Sequence, residues 1–361
     1  MKYFDKKILF VCTLNSSLGD TVLNAYTWVG KLKNLHPRSI VHGLLNCQSY
    51  TNAGHILVRK GLFDYIYPAN LMGTTIETMD SFLLRTLKLT KYDIVLFSPW
   101  DKIETHDSLK TMFPDAIFLW TNRVESFGTT EDIIDYQTRV GGFNVHHFNG
   151  NVLPSLYHQN LNRIFVNDCL EIARNKSYEK TVCLFGASSR ALANVSYVGM
   201  QKVVEICNKN GFFCFVCGTH SYNVYTPTSN GVDWKVVYER DYGDGSCNVD
   251  GTGWEKTISL MEATTATITG PTGAVMIPPL FGVKLIWLSG GDSRIMEGCL
   301  HSFTNRENMN RIPCSCPFHP CGPNTVSHNE EKAKKCAELR MPLCLNDELN
   351  TEELDKVLKT I

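Results

Sequence analysis

Lys7-Ile8-Leu9-Phe10-Val11-Cys12-Thr13 is a continuous apolar run, and Asn15-Ser16-Ser17-Leu18-Gly19-Asp20 follows it one residue later. An apolar run without alternation predicts a strand covered on both faces, as in a parallel sheet. Val22, Leu23, Tyr26, Val29 and Leu32 then recur at helical spacing until His36-Pro37, where the proline stops the helix. The same unit of strand, loop and amphipathic helix comes back along the first half. Ser39 to Leu45, Asp93 to Ser98 and Ala116 to Trp120 read as strands, separated by helical patterns around Phe82 to Leu87 and Leu109 to Phe113. Strands alternating with helices predict an α/β fold with a parallel sheet.

After Val140 the sequence turns irregular, and a helix predicted over Leu161 to Arg174 leads into the polar stretch NKSYEK at 175–180, suited to a linker between domains. The pattern then restarts. Thr181 to Gly186 and Phe212 to Cys217 read as strands around a helix over Val198 to Asn208. Strands at Trp234 to Tyr238, Ala266 to Thr269 and Lys284 to Leu288, with a helix at Trp254 to Ala263, complete a second α/β sheet. With 361 residues, the chain exceeds the roughly 250–300 at which one core stops growing. The expected organisation is two Rossmann-like domains, 1–175 and 176–361, whose parallel sheets face each other across a cleft, since open α/β sheets bind ligands at their carboxyl ends.

Composition narrows the function classes. Thirty-five basic residues stand against 36 acidic ones, so no global field draws the chain to a polyphosphate or an anionic membrane. No apolar stretch approaches the roughly 20 residues of a membrane span. Asp5, and the lack of a small-residue cleavage site after the first apolar run, argue against a secretory leader. Fourteen cysteines without such a leader point to a reducing compartment, and the expected location is the cytoplasm.

Three loops fall where such sheets do chemistry. Asp20 opens the first helix after the first strand, where a carboxylate could take a proton from an attacking hydroxyl; it is equally a good helix N-cap. Ser17 and Gly19 share that loop and are candidates for the acceptor side. Gly270-Pro271-Thr272-Gly273-Ala274 follows an apolar strand and begins a helical stretch ending at Phe281-Gly282. Glycine lets a phosphate approach the backbone, and free N–H groups with the Thr272 hydroxyl could hold a diphosphate; a plain strand-to-helix turn reads the same. Pro278-Pro279 predicts that this helix is short or kinked. Ser188, Ser189 and Arg190 occupy the corresponding loop after the first strand of the second half, with two hydroxyls and a guanidinium for phosphate oxygens, or else form a solvated surface loop. Trp254 and Glu255 are further donor-side candidates, beside readings as core and surface residues. The chain has no Asp-x-Asp pair, which favours a metal-free site.

These stretches carry a resemblance. ILFVCTLNSSLGDTVLNAYTWVGKLKNLHP resembles the opening of glycosyltransferase family 9, the heptosyltransferase-like enzymes, in which a strand leads to Ser-Leu-Gly-Asp and a helix. FGASSRALANVSYVGMQKVVEIC looks like the start of that family's donor domain, and ISLMEATTATITGPTGAVMIPPLFGVKLIWLSG like its donor-site strand and helix. The resemblance implies a GT-B fold and inverting transfer from a nucleotide-diphosphate sugar to a saccharide hydroxyl such as that of lipopolysaccharide core. It puts Asp20 on the catalytic aspartate, Ser188 and Ser189 on the phosphate-contacting hydroxyls, and Thr272-Gly273 at the donor turn. It implies no cofactor and no metal. The chain departs from the family at Pro271, Met276 and Ala193, where an aspartate, a histidine and a lysine are usual.

Other readings stand beside it. A phage-type transferase acting on a hydroxylated DNA base keeps the fold and changes the acceptor, and a non-catalytic nucleotide-sugar-binding protein accommodates the three departures. A dinucleotide-dependent oxidoreductase ranks below these, because NSSLGD replaces Gly-x-Gly-x-x-Gly after the first strand. Cys314, Cys316, His319, Cys321, His328, Cys336 and Cys344 are a zinc set, a disulfide source or ordinary thiols; their spacing is not a C-x-x-C pair of pairs.

Overall fold

The computed structural model describes residues 6–13, 21–22, 25–46, 54, 58, 61–69, 81–98, 103–120, 131–132, 156–187, 194–218, 221–224, 234–237, 242–249, 253–290, 308–314, 336, 343–346 and 348–361. The chain forms two compact units, Met1–Pro154 and Ser155–Ile361. The division thus falls at 154/155, ahead of the linker read at NKSYEK. The helix Leu156–Asn175 belongs to the second unit because its buried stripe, Asn162, Val166, Cys169 and Ala173, packs there. It lies against the helix Gly253–Ala263, with the Lys256 ammonium 5.4 Å from the Phe165 ring centroid.

The first unit is built on β1 (Lys7–Cys12), β2 (Ile40–Asn46), β3 (Tyr65–Ala69), β4 (Ile94–Phe97), β5 (Ile117–Trp120) and β6 (Glu131–Asp132), in the order β3-β2-β1-β4-β5-β6. Every neighbouring pair is parallel. After β1 the helical residues Thr21 and Val22 are fully buried, and a π-helical turn over Ala25–Val29 runs into an α-helix, Gly30–Leu35. One face of the sheet holds Leu9, Val11, Leu44, Val95 and Phe97 under Leu87, Leu109 and Phe113.

The second unit repeats the winding. β7 (Lys180–Phe185), β8 (Phe212–Cys217), β11 (Ser246–Val249), β12 (Ala266–Thr269), β13 (Leu285–Leu288) and β14 (Met309–Ile312) form a parallel sheet in the order β11-β8-β7-β12-β13-β14. Counted within its own unit, each sheet runs 3-2-1-4-5-6, the doubly wound order that turns direction between its first and fourth strands. β9 (Ser221–Val224) and β10 (Trp234–Val237) form a separate antiparallel ribbon. The strand expected at Trp234 to Tyr238 therefore exists, but it is not part of the main sheet. Beneath the helices Tyr197–Lys209 and Thr351–Lys359 the sheet presents Val182, Leu184, Cys214, Val216, Ile268 and Ile286. Among the described residues, no helix is long and apolar enough to cross a membrane.

Candidate functional site

In the second unit the strand order turns between β7 and β12, and the loops leaving their carboxyl ends are two of those singled out in the sequence. Phe185 stands beside Thr269 in the parallel register. The next residue, Gly270, donates its N–H to the Phe185 carbonyl at 2.9 Å, which ties the two loop origins together. A crevice outside the carboxyl ends at such a reversal is where doubly wound sheets bind ligands.

The turn after β12 has a defined hydrogen-bond economy. Thr272 N–H donates to the Gly270 carbonyl at 2.8 Å, and the Thr269 hydroxyl donates to the same oxygen at 2.7 Å. The buried Thr272 caps a 3-10 turn, Gly273–Met276, its Oγ1 accepting from Ala274 N–H at 3.2 Å. A hydroxyl carries one donor and two acceptor sites, so accepting from Ala274 leaves its own hydrogen able to donate. From Ala266 to Leu280 every residue is buried except Gly273, so the turn reaches the surface at that glycine.

The expected helix dipole is small here. The 3-10 turn passes into four α-helical residues, Ile277–Leu280, whose Pro278 and Pro279 sit in the first turn, where a missing N–H costs little. The stretch ends at Gly282, which takes the left-handed conformation with φ of 70°. Amide and hydroxyl groups, more than a macrodipole, are what this turn offers an anion. Pro271 and Met276, at the departures noted above, are both buried.

After β7 the chain leaves through Gly186 and Ala187 and returns at Val195, whose N–H closes on the Gly186 carbonyl at 2.9 Å. A side chain at Gly186 would meet the Met200 sulfur at 2.6 Å, so glycine lets the helix Tyr197–Lys209 lie close to the strand end. That helix uses its own amino end: the Ser196 hydroxyl accepts from Gly199 N–H, and Ser196 N–H donates to Asn346 Oδ1 at 2.9 Å. Ser188, Ser189, Arg190 and Ala193 lie outside the described residues.

Trp254 comes to the same sheet end. It begins the helix Gly253–Ala263, is half-buried, and stacks on Phe185 with centroids 6.1 Å apart and planes 9° apart. Glu255 lies in the first turn of that helix, where a carboxylate complements the positive helix end. Sequence reasoning did not find Phe185, because in the chain it is one more apolar strand residue.

In the first unit the reversal lies between β1 and β4, where Val11 stands beside Phe97 and Ser98 N–H donates to the Val11 carbonyl at 2.9 Å. Thr13, just past β1, is buried, and its carbonyl accepts from Asn46 Nδ2 at 3.2 Å. The segment carrying Ser17, Gly19 and Asp20 leaves from this anchor and reaches the buried Thr21. Those three residues lie outside the described ones.

Four cysteines of the second unit, Cys169, Cys214, Cys217 and Cys247, are held as neutral thiols. Desolvation pushes Cys169 up to about 11 and Cys247 up to about 12, and burial raises Cys214 well above the ordinary thiol value. Contact with Cys183, and then burial, raises Cys217. Thiols held protonated are poor nucleophiles. Cys183 stands abreast of Phe215, so Cys217 sits two residues further along the neighbouring strand. Strand rise and spacing put their Cα atoms about 8 Å apart, beyond the roughly 7 Å a disulfide spans. In the carboxyl-terminal group, Cys344 is buried, Cys314 packs against the core and the Cys336 sulfur accepts from Leu343 N–H. Among the described residues, no three His, Cys, Asp or Glu side chains form a metal-binding group. Cys316, His319, Cys321 and His328 lie outside them.

No protein-family model and no curated protein sequence matches this chain. Solved structures do resemble it in fold. E. coli ADP-heptose lipopolysaccharide heptosyltransferase II matches with a TM-score of 0.61 at 12% identity, over 98% of this chain and 99% of its own. A family 9 glycosyltransferase from Veillonella parvula matches with 0.61 at 11% identity, over 94% and 98%. An E. coli heptosyltransferase solved with ADP matches with 0.51 at 10%, over 92% and 99%. At these identities the likeness establishes the fold: two Rossmann-like units of the GT-B class.

Proposed function

We propose that this chain is a glycosyltransferase that moves a sugar from a nucleoside-diphosphate sugar to a hydroxyl of a saccharide acceptor, with inversion and without a metal ion. One observation carries the reading. The turns after β7 and β12, picked out in the sequence as phosphate holders, leave adjacent strands at the switch point of the second sheet, tied by the Gly270 to Phe185 hydrogen bond. The equivalent switch point of the first sheet is where the segment bearing Asp20 departs.

In this mechanism Gly273 N–H and the Thr272 hydroxyl, with Ser188, Ser189 and Arg190, hold the diphosphate and stabilise its charge as the glycosidic bond breaks. The exposed part of Trp254 takes the base. Asp20 accepts the proton of the acceptor hydroxyl as that oxygen attacks the anomeric carbon, the loop of Ser17 and Gly19 lying against the acceptor. Full-length similarity of fold to heptosyltransferases, one of them a lipopolysaccharide enzyme, supports an acceptor of the lipopolysaccharide kind. We place the protein in the cytoplasm, where its fourteen cysteines stay reduced.

The test is transfer from ADP-, UDP- and GDP-sugars to saccharide acceptors by the intact chain and by Asp20→Asn. Loss of a positioned general base lowers turnover by roughly 10²–10⁴-fold while leaving the donor bound. Nucleotide-sugar binding without turnover, unchanged by the substitution, would replace this reading with the non-catalytic one.

A further inference from the structure

The donor turn is braced from the far end of the chain. Asn346, almost fully buried at 3% exposure, lies just past a 3-10 turn, Leu343–Leu345, and its Oδ1 accepts the Ser196 N–H at 2.9 Å. Its carbonyl accepts from the Lys202 ammonium at 3.3 Å. Gly199 and Gly290 pack so tightly here that a Cβ at either would collide with Leu345, at Gly199 with its backbone carbonyl. The segment 343–346 is therefore clamped onto the first turn of the helix Tyr197–Lys209 and onto the chain leaving β13.

What this clamp touches matters. Ser196 follows Val195, whose N–H closes on Gly186, and Gly186 follows Phe185, whose carbonyl holds Gly270. A continuous line of covalent and hydrogen bonds thus joins Asn346 to the turn that exposes Gly273. Along this line the Ser196 N–H is a half-buried donor that the helix itself cannot satisfy, since the first N–H groups of a helix have no partner within it.

We infer that Asn346 is a positioning residue: it fixes the returning end of the β7 loop, and through it the diphosphate-binding turn, so that the carboxyl-terminal segment is part of the donor site's framework. The inference rests on the proposed donor role of the β7 and β12 turns. It touches no ligand itself; its effect passes through Ser196, Val195 and Gly186.

The experiment measures binding of inorganic pyrophosphate and of ADP to the full chain by calorimetry, well below the unfolding temperature, for wild type, Asn346→Ala and Asn350→Ala. Asn350 caps the helix Thr351–Lys359 through Glu353 N–H and donates to the Pro313 carbonyl, so its removal destabilises the same region without reaching Ser196. Leaving the Ser196 N–H unpaired is expected to weaken both ligands by up to roughly tenfold, the limit in which the whole worth of that hydrogen bond is expressed in binding. Asn350→Ala should lower the unfolding temperature and leave both affinities unchanged. Equal affinities in wild type and Asn346→Ala, or equal weakening in the two variants, would overturn the inference. If Asn346→Ala does not fold, Lys202→Met loosens the same segment from its outer side. It should weaken pyrophosphate roughly twofold, at the low end for a partly solvated hydrogen bond, and no change would again overturn the inference. Wild type that binds neither ligand would instead remove the donor-site reading on which the inference stands.

Discussion

Replacing Trp254 by alanine separates what that indole does for the fold from what it does for a ligand. Fully buried tryptophans cost about 3–5 kcal/mol when truncated. Trp254 is half-buried and stacks on Phe185, 6.1 Å away and nearly parallel. An aromatic pair contributes about 0.5–1.5 kcal/mol beyond area burial, so a loss of about 2 kcal/mol is expected in all. In a unit of this size that lowers the unfolding temperature by roughly 4–8 °C. The ligand effect is distinct. Stacking of a base on an aromatic side chain is worth about 1–3 kcal/mol by alanine substitution, which converts to roughly 5- to 150-fold in affinity. Calorimetric titration with ADP and with inorganic pyrophosphate tells the two apart. Trp254→Ala should weaken ADP by that factor and leave pyrophosphate nearly unchanged, while Trp254→Phe should retain most of the ADP affinity. Equal losses for the two ligands, or an ADP affinity that does not move, would refute the assignment of Trp254 to the base.

Thr272→Val keeps the β-branched shape and removes the oxygen that caps Ala274 N–H. A lost cap costs about 0.5–2 kcal/mol, read as a lower midpoint in denaturant titration, and pyrophosphate affinity should fall with it; an unchanged midpoint would show that the cap contributes nothing. His42 supplies a pH dependence in the first unit. Its Nδ1 lies 2.8 Å from the Tyr92 hydroxyl and 3.4 Å from that of Tyr67. Burial lowers its pKa, against a smaller opposing effect of Asp64 and with Lys7 adding to the lowering. Because the unfolded state takes up the proton first, this contribution to stability is complete above the unfolded value of about 6.5 and is lost as pH falls toward the folded one. Thermal unfolding between pH 8 and 5 should therefore show a smaller acid loss in His42→Asn, whose amide can still accept from Tyr92; identical slopes would exclude His42 as the source.

The central strands were legible in the sequence, and the edges were not. β1, β2, β4 and β5 of the first sheet, and β7, β8, β12 and β13 of the second, all stand out as apolar runs, because each is flanked by strands and mostly covered on both faces. β3, β6, β11 and β14 are the sheet edges, and none of them does. Tyr65–Ala69 exposes Tyr65 and Pro68, while Ser246–Val249 and Met309–Ile312 each bury only their last residue. Partly solvated strands need no continuous apolar run, so their residues read as loop. Trp234–Val237 shows the converse: a β-rich stretch announces a strand but not its partner, and it pairs with Ser221–Val224 outside the main sheet.

Local chemistry by itself thus determined the alternation of strand and helix, the two sheets and the glycine-bearing turns that leave their strands. Which strands stand side by side is a property of the folded chain. Phe185 and Thr269 are far apart in sequence, and only the 3-2-1-4-5-6 winding brings Gly186, Gly270 and the Phe185–Trp254 stack to one sheet end. Asn346 is the clearest case. A lone asparagine in a carboxyl-terminal loop carries no periodicity and no motif, and its meaning lies in an N–H of Ser196 that helix geometry leaves open and tertiary packing fills.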